Sequence, residues 1–81
     1  MSEDDILEGL SEILSETFDR GDLVVTKSTT AADIREWDSL NHINIVVASE
    51  IRFGVKFKTA ELEGLRDVGE LVDLIHSKLN G

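Results

Sequence analysis

Three stretches of the chain place apolar residues at helical spacing. Ile6, Leu7, Leu10, Ile13, Leu14 and Phe18 follow the 3.6-residue period. Ser2 stands where an N-cap belongs, Asp4 and Asp5 suit a positive helix start, and Gly21 lies where a C-terminal stop is expected. The spacing predicts a second helix over residues 39–52, capped by Asp38 or Ser39 and ended by Gly54. Val68, Leu71, Val72, Ile75 and Leu79 predict a third long helix, opened by the capping-box-like Asp67-Val68-Gly69-Glu70.

The intervening segments are less regular. Residues 22–38 hold no long periodic element, and residues 26–30 are rich in hydroxyls. So long a loop in so short a chain points to function. Thr30-Ala31-Ala32-Asp33 predicts one short turn over residues 31–34, with Leu23, Val24 and Ile34 pinning the loop to the core. Residues 53–58 alternate like a strand, but a lone strand has no partner, so an extended connector is expected. Thr59-Ala60-Glu61-Leu62-Glu63 fits a short helical turn. The expected fold is all-α: a small bundle of three long helices and one short one, with a long first loop. No repeat, low-complexity tract or linker divides it, so residues 1–81 are expected to form one domain.

The second helix is apolar on more than one face. Leu40, Ile43, Val47 and Ile51 fall within about 80° of one another at 100° per residue. Val46 and Phe53 lie to one side of that stripe and Ile45 further round. Val46 and Phe53 are expected in the core. The stripe then serves partners, or part of it lines a pocket beside Ile43, unless the long loop covers it.

Composition narrows the chemistry. A chain of 81 residues buries only about 60% of its unfolded surface, which argues against a large interior catalytic cavity. Cysteine is absent, which excludes disulfides, thiolate metal sites and a protein-borne thiol nucleophile. Asp and Glu number 17 against 8 Lys and Arg, so neither nucleic acid nor an anionic membrane is an expected partner. The acidity is concentrated in residues 1–22, with eight acids and one base. The longest apolar run is residues 45–48, far short of a membrane span. Nothing at the start reads as a signal peptide, so a cytoplasmic location is expected.

Most catalytic patterns fail. Asp19-Arg20-Gly21-Asp22 lacks the ligand alternation of a calcium loop. His42 and His76 fall on different helices without ligand spacing and are expected to face solvent without metal. Ser39 and His42 would meet across one helical turn, but no oxyanion hole accompanies them. Trp37-Asp38-Ser39-Leu40 is different, because it opens a helix straight after the long loop. A serine there presents its hydroxyl to solvent, and a phosphate ester on it would meet free N–H groups at the positive helix end. The same residues also read as a plain N-cap with Trp37 as a hydrophobic staple.

Asp38-Ser39-Leu40 opening the second helix, with Phe53-Gly54-Val55 closing it, resembles the acyl carrier protein family. Length, acidity, helix order and the long first loop extend the likeness over nearly the whole chain. The resemblance implies a non-enzymatic carrier with 4′-phosphopantetheine esterified to Ser39 by a phosphopantetheinyl transferase, and acyl groups held as thioesters on the cofactor's thiol. It implies that Asp38 helps that transferase position its metal and substrate, and that Leu40 is offered to partner enzymes. Ile43, Val47 and Ile51 are expected to extend that face, acyl-activating and acyl-transferring enzymes are the expected partners, and a monomer is expected. Main fatty-acid carriers of this family have a strongly acidic second helix. Here Asn41, His42, Asn44 and Arg52 occupy it with Glu50 as its acid, and Trp37 stands where a small or aliphatic residue is usual. A discrete carrier for a specialised fatty-acid or polyketide-type pathway is the expected role. The alternatives are a D-alanyl or peptidyl carrier, the latter disfavoured by Glu36-Trp37 in place of Gly-Gly, or a cofactor-free helical adaptor.

Overall fold

The first helix, α1 (Glu3–Phe18), begins where Ser2 and Asp5 exchange hydrogen bonds. The Asp5 N–H donates to Ser2 Oγ and the Ser2 N–H donates to Asp5 Oδ2, both at 3.2 Å. Those bonds to Ser2 hold the Asp5 carboxyl below its ordinary value. At the other end the helix stops earlier than Gly21. Asp19 turns left-handed at φ 54°, its N–H bonds Glu16 O, and the Arg20 N–H bonds Ser15 O at 2.9 Å. This is a Schellman ending built on an aspartate, a short polar residue that tolerates the left-handed region better than most.

In the computed structural model, which describes residues 1–80, α1 is followed by a 3-10 turn (Ala31–Asp33), then α2 (Ser39–Phe53), α3 (Thr59–Glu63) and α4 (Val68–Asn80). The expected all-α bundle of three long helices and one short one is therefore what forms, and no strand occurs among the described residues. Gly54 ends α2 in the left-handed conformation at φ 67°. Residues 54–58 run as an extended connector, fixed to α2 by the Phe57 N–H donating to Glu50 Oε2 at 2.9 Å. Before α4 the Glu70 N–H donates to Asp67 Oδ1, while Glu70 Oε2 accepts from the Arg66 N–H at 2.6 Å. The return bond reaches one residue further back than a capping box would.

One apolar core joins the three long helices. α1 supplies Ile6, Leu10, Ile13, Leu14 and Phe18, and α4 supplies Val68, Leu71, Val72 and Ile75. α1 and α2 approach closely where Gly9 faces Phe53: a Cβ on Gly9 would stand 2.9 Å from Phe53 Cζ. Arg52 and Glu12 pair at 2.6 Å across α1 and α2.

The long first loop lies against the bundle rather than hanging free. Ile34 is buried, and Leu23 and Val25 pack on the core. Val24, expected to help pin the loop, is instead 81% exposed, because its neighbours on either side take the inward positions. The hydroxyl-rich segment folds on itself, with the Thr26 N–H donating to Thr29 Oγ1 and the Thr29 N–H to Thr26 O. That turn presents two carbonyls to α4. Lys27 O accepts from the Gly69 N–H at 2.7 Å and Thr29 O from the Val68 N–H at 2.9 Å.

The division of α2 into faces departs from expectation in one respect. Ile45, Ser49 and Phe53 form its buried side, and the Ser49 hydroxyl donates to Ile45 O at 2.7 Å. Val46, expected in the core with Phe53, is only half-buried and lies outside the core cluster. The inward direction is centred on Ser49, a small polar residue that satisfies itself on its own helix, so hydrophobicity alone misplaces the axis by about 60°. The opposite stripe is open to solvent, and the loop does not cover it: Leu40 is 68% exposed, Ile43 59%, Val47 47% and Ile51 79%.

Three outcomes follow from this packing. Asp19→Gly should raise the melting temperature by about 4–8 °C, because glycine takes φ 54° without cost and a negative charge leaves the helix C-terminus, together about 1 kcal/mol. Gly69→Ala should lower it, since its Cβ would stand 2.8 Å from Lys27 O and prise the loop from α4, at a cost of about 1–3 kcal/mol. Ile45→Ala should cost about 2–5 kcal/mol and Val47→Ala under about 0.5. Thermal unfolding followed by circular dichroism checks all three.

Candidate functional site at the start of α2

The loop delivers Trp37, Asp38 and Ser39 to the N-terminus of α2. The path is fixed locally: the Trp37 N–H bonds Ile34 O, the Asp38 N–H bonds Glu36 O, and the Asn41 side-chain amide donates to Glu36 O at 2.8 Å. Glu36 is held in turn by Arg20 at 3.5 Å, beyond the end of α1.

Of the two candidate caps, Asp38 takes the role. Its Oδ1 accepts from the Asn41 N–H at 2.8 Å and its main-chain carbonyl from the His42 N–H. Ser39 is therefore the first helical residue, exposed, with its hydroxyl unused in capping. The Ser39 and Leu40 N–H groups find no acceptor among the described residues. An exposed hydroxyl beside two free N–H groups and the positive end of a 15-residue helix suits a phosphate ester. Nothing crowds the hydroxyl. It borders an open, mostly apolar groove of about 610 Å³ floored by Trp37, His42 and Ile43. The residues present fit a phosphate-linked arm on Ser39.

Trp37 and His42 occupy the positions before the cap and at the fourth helical residue, so the staple spacing holds with a polar partner. The indole Nε1–H donates to His42 Nδ1 at 3.2 Å, and the rings stack at 6.3 Å and 27°. Phe18 also packs against the indole, with ring centroids 5.9 Å apart. His42, expected to face solvent, is half-buried by this contact. The signal in the sequence is the five-residue step from Trp37 to His42 across a cap, which reading His42 as a metal ligand or a surface residue passes over. Leu40, Ile43, Val47 and Ile51 share one exposed face running away from Ser39. Asp38 stands on the loop side of the serine.

No protein-family model matches the chain. It is 39% identical to an acyl carrier protein of Acidothermus cellulolyticus, over 93% of this chain and 89% of that protein. It is 36% identical to a meromycolate extension acyl carrier protein of Mycolicibacterium aurum, over 91% of this chain and 76% of that one. The solution NMR structure of a holo acyl carrier protein from Geobacter metallireducens superposes with a TM-score of 0.86 at 41% identity, covering 93% of this chain and 86% of that one. By fold and by identity over most of its length, the chain belongs to the acyl carrier protein family, whose members hold acyl intermediates on covalent 4′-phosphopantetheine and catalyse nothing themselves.

Proposed function

We propose that Ser39 is the attachment point of 4′-phosphopantetheine and that the chain works as a single carrier unit for a specialised acyl pathway. The observation that supports it best is the division of roles at the start of α2: Asp38 caps, so the Ser39 hydroxyl and the first N–H groups are left for a phosphate. When bound, the group supplies the terminal thiol that a cysteine-free chain lacks. This chain's own residues orient and present it. Asp38 keeps a second carboxylate oxygen beside the serine, where a transferase needs a metal and its substrate positioned.

The exposed face of α2 serves the enzymes that load and use the carrier. Leu40, Ile43, Val47 and Ile51 form an apolar stripe that a partner can bury. Its electrostatic setting supports a dedicated pathway. Along α2 stand Asn41, His42 and Asn44, with Glu50 its one acid and Arg52 already engaged by Glu12. Basic partner surfaces are steered weakly by such a helix, so recognition rests on apolar fit. The partners are a phosphopantetheinyl transferase and acyl-activating and acyl-transferring enzymes, met in the cytoplasm. No helix among the described residues is long and apolar enough to cross a membrane.

Treatment with coenzyme A and a broad transferase should add one phosphopantetheinyl mass to the wild type and none to Ser39→Ala. Because Asp38 is the cap, that variant should unfold within about 0.5 kcal/mol of wild type. Mass spectrometry decides it: gain of mass by Ser39→Ala, or modification of wild type at another serine, overturns the assignment.

A further inference from the structure

The groove beside Ser39 does not end at the surface residues that floor it. A second, smaller and half-open void of about 60 Å³ adjoins them, lined by Ala31, Trp37, His42, Leu65, Leu71 and the Arg66–Asp67 segment. Groove and void share Ala31, Trp37 and His42. The hydrogen-bonded Trp37–His42 pair therefore stands between the groove, where Ser39 sits, and the void against Leu65 and Leu71.

We propose that this pair determines which cargo the carrier shelters: while the Trp37–His42 bond is made, acyl chains longer than a few carbons stay outside the bundle, lying in the open groove over Ile43. This inference rests on attachment at Ser39. The tether is what makes the acyl chain the occupant, since it holds the chain at high effective concentration beside a groove that Ser39 itself lines. A void of about 60 Å³ takes only a few water-sized groups, and so a chain end of about two or three carbons. A longer chain must push the indole aside. Doing so strips the Nε1–H of its acceptor and separates stacked rings already wedged against Phe18. The pair thus sets a threshold on chain length and polarity that the apolar lining alone would not impose.

The test separates the hydrogen bond from the space it guards. Trp37→Phe keeps an aromatic ring against Phe18 but has no N–H. His42→Leu removes the acceptor while leaving the indole in place. His42→Asn retains an acceptor near the Nδ1 position. Each protein is loaded at Ser39 with acetyl- or octanoyl-phosphopantetheine from the corresponding coenzyme A thioester, loading is confirmed by mass, folding by circular dichroism, and the thioester is then cleaved with hydroxylamine. In wild type and His42→Asn the two thioesters should be cleaved within about twofold of each other, as for exposed groups. In Trp37→Phe and His42→Leu the octanoyl thioester should become protected by about threefold or more, through the fraction of time its chain is inside, with the acetyl rate unmoved. Equal octanoyl protection in wild type and both variants overturns the proposal, and so does His42→Asn behaving as His42→Leu. Failure of the wild type to gain mass at all would instead overturn attachment at Ser39, and with it this inference.

Discussion

Two main-chain hydrogen bonds, from Val68 and Gly69 to Thr29 and Lys27, hold the long connection between α1 and α2 against the start of α4. They solve two problems at once. The first N–H groups of a helix have no partners within it, and a loop of this length has carbonyls to satisfy. Here each supplies the other. With its middle fixed there, the loop has only a short further run to α2, and Trp37 and Asp38 arrive at a set height and angle. Gly69 is what allows the approach, since any side chain would fill the space that the Lys27 carbonyl occupies. The start of α2 is thus positioned by the start of α4 as well as by the core residue Ile34.

The start of α2 then divides one sequence motif among separate tasks. Asp38 satisfies the helix, the Ser39 hydroxyl is left out of the cap, and Trp37 bonds His42 beside them. The rest of α2 is divided by face in the same way. Ile45, Ser49 and Phe53 serve stability, and the stripe from Leu40 to Ile51 remains open. A small domain has little stability to spare, so separating the two sets lets the outward residues change without loosening the core.

Much of this was legible in the sequence, because periodicity and capping are local. Ser2, Asp38, Gly54, the short turn at residues 31–33 and the five-residue α3 all follow from side chains and their immediate neighbours. What was not legible depends on partners far along the chain. Gly21 lost the end of α1 to Asp19, since the Schellman bonds close two residues sooner. Val24, expected to pin the loop, faces outward while Val25 packs on the core, a matter of loop path. Val46 yielded the inward position to a face centred on Ser49, whose polarity hides its burial until its bond to Ile45 is seen. The Ser39 position was marked by pattern, whereas the Trp37–His42 contact beside it required the two rings to be placed.

Trp37 is the one tryptophan of a chain that contains no tyrosine. Its indole packs against both Phe18 and His42, with its N–H engaged by a ring nitrogen at the groove that borders Ser39. Near-ultraviolet emission from this protein therefore comes from a single chromophore at the functional end, uncontaminated by signal from elsewhere. Loss of the ring-nitrogen contact, or replacement of nearby water by an aliphatic chain, changes the polarity that the excited indole meets. The protein thus carries its own optical gauge of what occupies the space beside Ser39, readable in real time without a label.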